Sequence, residues 1–302
     1  MSSSPATVAI KPLPKEAPLP MHYNLLAGAI AGVTEILTMY PLDVVKTRFQ
    51  IQVGNAEYKS IVDCFQKIVK NEGVGALYRG ILPPIMVEAP KRAIKFGANE
   101  KYRQLYMKNF GLKDSQALSV LTGVSAGLTE AVIVATPELI KIRLQDKKNA
   151  GKYSGTGDAV AKIMREEGFM TFGRGLEATM WRHATWNGGY FGVISLIRAN
   201  LPKAETKEGV LFNNFIAGAL GGTVGTMINT PFDVVKTRIQ SQTALPLKYN
   251  WTLPAIATVA REEGVGALYK GFVPKVLRLG PGGGILLVVF DFVSGYIRKH
   301  LM

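Results

Sequence analysis

The sequence predicts an all-α membrane protein with six transmembrane helices in three pseudo-threefold repeats, each two long helices joined by a short amphipathic helix. Three observations carry this: markers that recur at a fixed period, apolar stretches paired within each period, and polar residues confined to one side of those stretches. Gly28-x-x-x-Gly32, Gly123-x-x-x-Gly127 and Gly218-x-x-x-Gly222 follow at steps of 95 residues. Asp43, Glu138 and Asp233 keep the same step of 95, as do Lys46, Lys141 and Lys236. Glu72-Gly73, Glu167-Gly168 and Glu263-Gly264 follow at 95 and 96. Markers held in phase through three modules define a repeat, and such a module suits two long helices and a connector. The expected boundaries are a disordered leader at 1–20 and repeats at 21–115, 116–210 and 211–302.

The leader carries Pro5, Pro12, Pro14, Pro18 and Pro20, with no apolar run and no arginine. It fits neither a signal peptide nor an Arg-rich transit peptide. The first helix of each module is the apolar stretch Leu25 to Tyr40, Leu118 to Ala135 or Phe215 to Thr230. Small residues at i and i+4 allow close backbone approach in lipid. These runs are shorter than the ~20 residues of a fully lipid-bathed span, and their one-sided polar residues suit a watery cavity. Short amphipathic stretches follow at Tyr58–Lys70, Gly155–Glu166 and Leu253–Glu262, suited to lying along a membrane surface. The second helices are expected to begin near Ile81, Leu176 and Phe272.

A chain of 302 residues with net charge +14 has anionic partners, and charge alone admits nucleic acid, acidic lipid or small solutes. The membrane repeat favours solute and lipid over nucleic acid. Cys64 is the only cysteine, so neither an internal disulfide nor a Cys-based metal cluster is expected. The run Pro281-Gly282-Gly283-Gly284 lacks the Lys-Ser/Thr and the preceding strand of a phosphate loop. With no repeated metal ligands, nucleophile–base pair or dinucleotide fingerprint, no metal, cofactor or enzymatic activity is expected.

Each first helix ends in a proline–acid–base signature. It reads Pro41-Leu42-Asp43-Val44-Val45-Lys46-Thr47-Arg48 in the first module and Pro231-Phe232-Asp233-Val234-Val235-Lys236-Thr237-Arg238 in the third. Proline removes a backbone donor and kinks a helix. Three kinked ends would converge and let acids and bases of neighbouring modules pair in a ring. In this the chain resembles the mitochondrial carrier family, with Tyr78-Arg79-Gly80 and Tyr269-Lys270-Gly271 supplying a second repeated motif. The resemblance implies inner-membrane antiport by alternating access. It implies a matrix gate of Asp43 with Lys141, Glu138 with Lys236 and Asp233 with Lys46, braced by Gln50, Gln145 and Gln240. The middle module departs from the pattern, since Thr136 takes the proline's place and Pro137 follows one residue late. Acid, base and glutamine stay in register there; the kink is what becomes doubtful.

The resemblance further implies a cytoplasmic gate near the ends of the second helices. Glu100 and Arg103, Ser195 and Arg198, and Asp291 and Ser294 occupy those places. Paired between modules, they give Glu100–Arg198 and Asp291–Arg103, with Ser195 facing Ser294. Thirteen residues before Glu100, Ser195 and Asp291 stand Val87, Arg182 and Arg278, the family's contact levels. Intramembrane charge is functional by default, and a guanidinium grips a carboxylate with two prongs. The candidate binding set is Glu88, Lys91, Arg92, Lys95, Arg182, His183 and Arg278. Alternatives stay open: Arg92 as a partner for Glu88, Lys95 turned toward the gate, His183 as local polarity. Glu35 and Glu130, also 95 apart, face two readings, a proton relay or structural pairing.

Arg182-His183 is similar to the keto-acid carriers of that family, which implies exchange of 2-oxoadipate and 2-oxoglutarate. Small dicarboxylate anions are thus the expected partners, with cardiolipin as bound lipid and a monomer as the working unit. The alternatives are an exchanger of 2-oxoglutarate with malate, an amino-acid exchanger, or a non-transporting scaffold on the same fold.

Two ionic pairs of a possible three leave the outer gate weak, each exposed pair contributing about 0–1 kcal/mol, so the cytoplasm-open state is expected to be the easier one to populate. Introducing Ser195→Asp with Ser294→Lys is expected to shift transport rate and state-specific inhibitor binding; if neither changes, the expectation fails.

Overall fold

The structure, a computed structural model, describes residues 19–54, 57–113, 115–202, 207–243 and 246–301. The expected leader lies almost wholly outside these residues. Among them no strand occurs, and the long helices run as α1 (Met21–Ile51), α3 (Leu82–Phe110), α4 (Gln116–Gln145), α6 (Leu176–Asn200), α7 (Lys207–Ser241) and α9 (Phe272–Leu301). Between the members of each pair lie α2 (Ile61–Glu72), α5 (Thr156–Glu167) and α8 (Thr252–Glu263). The long helices pack in the closed order α1, α3, α4, α6, α7, α9 and back to α1. Met21–Ile51, Gln116–Gln145 and Val265–His300 are long and apolar enough to cross a membrane on composition alone. The others hold 29, 25 and 35 residues, beyond the ~20 a span needs. Inward-facing polar groups make them less apolar: Glu88 and Lys91 in α3, Arg182 and His183 in α6, Thr226 and Asn229 in α7.

The repeated acid–glycine marker has a local cause. Gly73, Gly168 and Gly264 end α2, α5 and α8 at φ 82°, 84° and 84°, a left-handed conformation that favours a residue without Cβ. The acid before each glycine caps a buried arginine from the end of the first helix. Arg48 meets Glu72 at 2.8 Å, Arg143 meets Glu167 at 2.7 Å, and Arg238 pairs with Glu263. The base of the next motif joins the same acid, Arg79 at 3.1 Å, Arg174 at 2.8 Å and Lys270 at 3.4 Å. Each repeat is thereby folded back on itself by one carboxylate and two cations. Beside this clamp, Cys64 is fully buried with Ile36, Tyr40 and Val44, and burial pushes its thiol up to about 12.

The glycine stripes do more than bring backbones together. A Cβ at Gly32 would lie 2.2 Å from Glu88 Oε1 and 2.7 Å from Arg92 Nη2. One at Gly127 would lie 2.7 Å from Asn187 Nδ2. In repeats 1 and 2 the small residues therefore make room for polar side chains of α3 and α6. In repeat 3 the stripe differs: Gly218 faces open space and Gly222 the Leu279 side chain at 3.5 Å, while the neighbouring Gly221 and Gly225 lie against Ile194 and the Tyr190 backbone.

Glu262 and Glu263 are adjacent on α8, and their environments predict opposite sensitivities. Arg238 is buried, with its side chain 3% exposed, whereas the Lys248–Glu262 pair is 49% and 48% exposed. Burial acts to raise the Glu263 carboxyl, but the Arg238 guanidinium and the Gly54 N–H outweigh it and hold the pKa at about 2, so the clamp stays charged at neutral pH. Glu263→Ala is expected to cost about 3 kcal/mol by orphaning a buried charge, a fall of roughly 6–10 °C in Tm. Glu262→Ala is expected to cost under ~1 kcal/mol. Thermal unfolding of the detergent-solubilised variants checks both.

Candidate functional site

Toward their C-terminal ends α1, α4 and α7 converge, and the acid and base of each signature point inward. Asp43 accepts from Lys141 at 2.8 Å, Glu138 lies 2.7 Å from Lys236, and Asp233 lies 2.6 Å from Lys46. The three pairs join all three repeats, and α4 runs unbroken through Pro137, so the displaced proline leaves the ring intact. The glutamines beneath it are used unequally. Gln50 donates to Asp233 at 2.9 Å and accepts from Thr237 at 2.8 Å. Gln240 instead donates to the backbone oxygens of Ala135 and Arg174, and the Gln145 amide has no hydrogen-bond partner.

Above the ring is a cavity of ≈ 240 Å³ lined by Val87, Glu88, Lys91, Arg182 and Arg278. An adjoining space of ≈ 340 Å³ holds Glu35, Lys275 and Trp186 and again reaches Arg278. The cations that face this space are already engaged with carboxylates. Arg278 donates through Nε and Nη2 to Glu35 at 3.2 and 2.7 Å, and through Nη1 to Asp43 of the ring. Arg182 donates through Nη2 to Glu138 at 3.0 Å, while its Nε has no hydrogen-bond partner and lies 4.0 Å from Asp233. Lys275, which the repeat pattern did not single out, lies 3.5 Å from Asp233 and donates to Asn229 at 2.6 Å. It stands one turn before Arg278 on α9, and that spacing from a known cavity position was the available signal. Each ring acid thus has its own lysine and a second cation from α6 or α9.

The remaining candidates separate. Glu88 is buried and pairs with Lys91 and, at 2.7 Å, with Arg92, which lies against Gly32. Lys95 lies 3.7 Å from Glu130, a group on α4 rather than at the outer end. The Arg182 Nη2 sits 3.0 Å from His183 Nε2. A guanidinium only donates, so Nε2 accepts and the imidazole proton is on Nδ1, 3.9 Å from Glu130. His183 thus sits beside Arg182 as an acceptor. Glu35 and Glu130, equivalent in the repeat, serve different cations.

At the other end, Glu100 and Asp291 are exposed, and Glu100 accepts from Gln104 of its own helix at 2.8 Å. Ser294 is buried with an unpartnered hydroxyl, and Arg103 lies on the same stretch of α3 as Glu100. The side chains of Ser195 and Arg198 lie outside the described residues. The bundle is closed by ions at the end bearing α2, α5 and α8. Among the described residues no group of three or more His, Cys, Asp or Glu is arranged to hold a metal.

Comparison with known proteins bears on these features. The family model described as mitochondrial carrier protein matches residues 17–110, 113–205 and 207–301. The chain is 57% identical over 94% of its length to the "Probable mitochondrial 2-oxodicarboxylate carrier" of Schizosaccharomyces pombe, covering 97% of that protein. It is 56% identical over 94% of its length to the "Mitochondrial citrate transporter D" of Aspergillus niger, again covering 97%. With "Mitochondrial 2-oxodicarboxylate carrier 2" of Saccharomyces cerevisiae the identity is 50% over 93% of this chain and 95% of the relative. Three matched repeats, a closed six-helix bundle and an ion ring at one end establish that the chain belongs to the mitochondrial carrier family, a multi-pass transporter of the mitochondrial inner membrane and not an enzyme.

Proposed function

We propose that the protein exchanges 2-oxodicarboxylates, 2-oxoglutarate and 2-oxoadipate foremost, by alternating access. The observation that carries this reading is the pair of guanidinia, Arg182 and Arg278, on helices α6 and α9 of one cavity above a closed ion ring. A substrate with a carboxylate at each end can engage both, each through charge-assisted, two-pronged hydrogen bonds. The relatives named for 2-oxodicarboxylates at 57% and 50% identity support the same substrate class.

The ring of Asp43–Lys141, Glu138–Lys236 and Asp233–Lys46 acts as the matrix gate, and its closure here corresponds to a cytoplasm-open state. Glu100, Arg103, Ser195, Arg198, Asp291 and Ser294 form the opposing gate. Substrate carboxylates compete with Asp43 and Glu138 for the same two arginines, so occupancy weakens the matrix gate directly. Interactions that are stronger while the gates exchange than in either resting state speed the cycle. The net charge of +14 suits an anionic lipid such as cardiolipin, and a single chain encloses the whole cavity.

A second reading, transport of a tricarboxylate, draws on the citrate-named relative at 56% identity and on Lys91 and Lys275 as further cations, one in each of the two adjoining spaces. Competition decides between them. Homo-exchange of labelled 2-oxoglutarate in proteoliposomes is expected to be inhibited best by unlabelled five- and six-carbon 2-oxodicarboxylates; citrate as the strongest competitor would favour the second reading. Arg182→Ala and Arg278→Ala are each expected to lower exchange about 100-fold or more, since each leaves a charge unpaired. Retained exchange in both would point to a scaffold. Lys275→Ala is expected to reduce exchange of citrate more than that of 2-oxoglutarate, measured in the same vesicles.

A further inference from the structure

We infer that Glu35 is an internal stand-in for a substrate carboxylate, holding Arg278 against the ion ring while the cavity is empty. Arg278 presents its Nε and Nη2 to one oxygen of Glu35, at 3.2 and 2.7 Å. That is the edge with which a guanidinium grips a carboxylate. Its third nitrogen, Nη1, donates to Asp43, whose other oxygen takes Lys141 at 2.8 Å. Glu35 and Asp43 are eight residues apart on α1, so one side chain of α9 is tied to α1 at two points.

The pair differs from the structural clamps of the fold. Arg143 and Glu167 are 0% and 10% exposed, whereas Arg278 and Glu35 are 28% and 18% exposed and line a cavity of ≈ 340 Å³ that a solute can enter. One turn beyond Arg278 on α9 itself, a glycine leaves room for the carboxylate: a Cβ at Gly282 would lie 3.1 Å from Glu35 Oε1. This gives Gly282, the first glycine after Pro281, a purpose. The arrangement is particular to repeat 1. The equivalent Glu130 faces Lys95 and His183, and the equivalent Gly225 packs on the Tyr190 backbone.

An entering carboxylate takes the Nε–Nη2 edge from Glu35 and draws the guanidinium toward itself, away from Asp43. The Asp43–Lys141 pair then loses its second cation. Glu35 is thus a positioning residue with two effects: it competes with substrate, and it keeps the empty carrier's ring closed. Exchange is thereby coupled, because the ring loosens only when loaded.

The inference rests on dicarboxylate exchange, and its test separates the two. Vesicles loaded with labelled 2-oxoglutarate are assayed for efflux into medium with and without unlabelled 2-oxoglutarate, for wild type, Glu35→Gln and Glu35→Asp. Removing the competing charge is expected to lower KM about tenfold in Glu35→Gln, the size of one charge-assisted hydrogen bond. Efflux into substrate-free medium should rise at least fivefold relative to exchange. Glu35→Asp, which retains the charge on a shorter arm, should shift both in the same direction by less, and it carries the test if the glutamine variant does not fold. Unchanged KM and coupling in a folded variant overturn the inference while leaving dicarboxylate exchange standing. A raised KM with falling Vmax also overturns it, since Glu35 would then be a support for the site. A wild type that exchanges no dicarboxylate sinks both.

Discussion

Three carboxylates, Asp43, Glu138 and Asp233, are held where α1, α4 and α7 come together, and a carboxylate removed from water must find cations. Each finds a lysine on a neighbouring repeat, at 2.6–2.8 Å. That requirement joins the repeats and shuts one end of the bundle. It also reaches upward, because Arg182, Lys275 and Arg278 place further positive charge on the same acids. On the proposed function, the residues that bind solute are also the residues that stabilise the closed ring. On that proposal, binding and gating are linked by shared hydrogen-bond donors rather than by a relay through the fold.

Around this constraint the remainder is support. The Glu72, Glu167 and Glu263 clamps fix the ends of the converging helices, each by pairing a nearly buried arginine. Glycines on α1 and α4 open space for Glu88, Arg92 and Asn187, so the helix seams carry polar groups without gaps between backbones. The clamps are alike in all repeats, whereas the seams differ. Arg238 donates to the backbone oxygens of Gln50 and Gln52, and Arg143 to those of Gln240 and Gln242. Arg48 has Nε and Nη1 without a partner. The threefold pattern is thus kept in secondary structure and relaxed at the interfaces, where each repeat meets different neighbours.

The fold was legible because its causes are local and repeated. A positive φ demands glycine at 73, 168 and 264, and an acid one residue earlier must reach an arginine 24 or 25 residues back; such needs leave periodic marks. The ring was legible for the same reason, since three acids and three lysines keep one spacing. The cavity was legible only in part. Arg182 and Arg278 stood out as intramembrane charge, yet nothing in their spacing told whether Arg92 faced substrate or Glu88. The latter depended on Gly32 lying opposite, on a helix more than fifty residues earlier in the chain.

What the sequence by itself determined is the three-repeat helical architecture, the acid–base ring and the cationic character of the cavity, because each follows from residue type at a fixed interval. What only the tertiary structure decided is the pairing within the cavity. Glu35 and Glu130 are equivalent by interval, but one grips Arg278 and the other faces Lys95 and His183. The physical reason is that an ion pair is chosen by distance and room in three dimensions. Helix packing supplies both, and Arg278 of α9 meets Glu35 and Asp43 only when the last helix closes the bundle against the first.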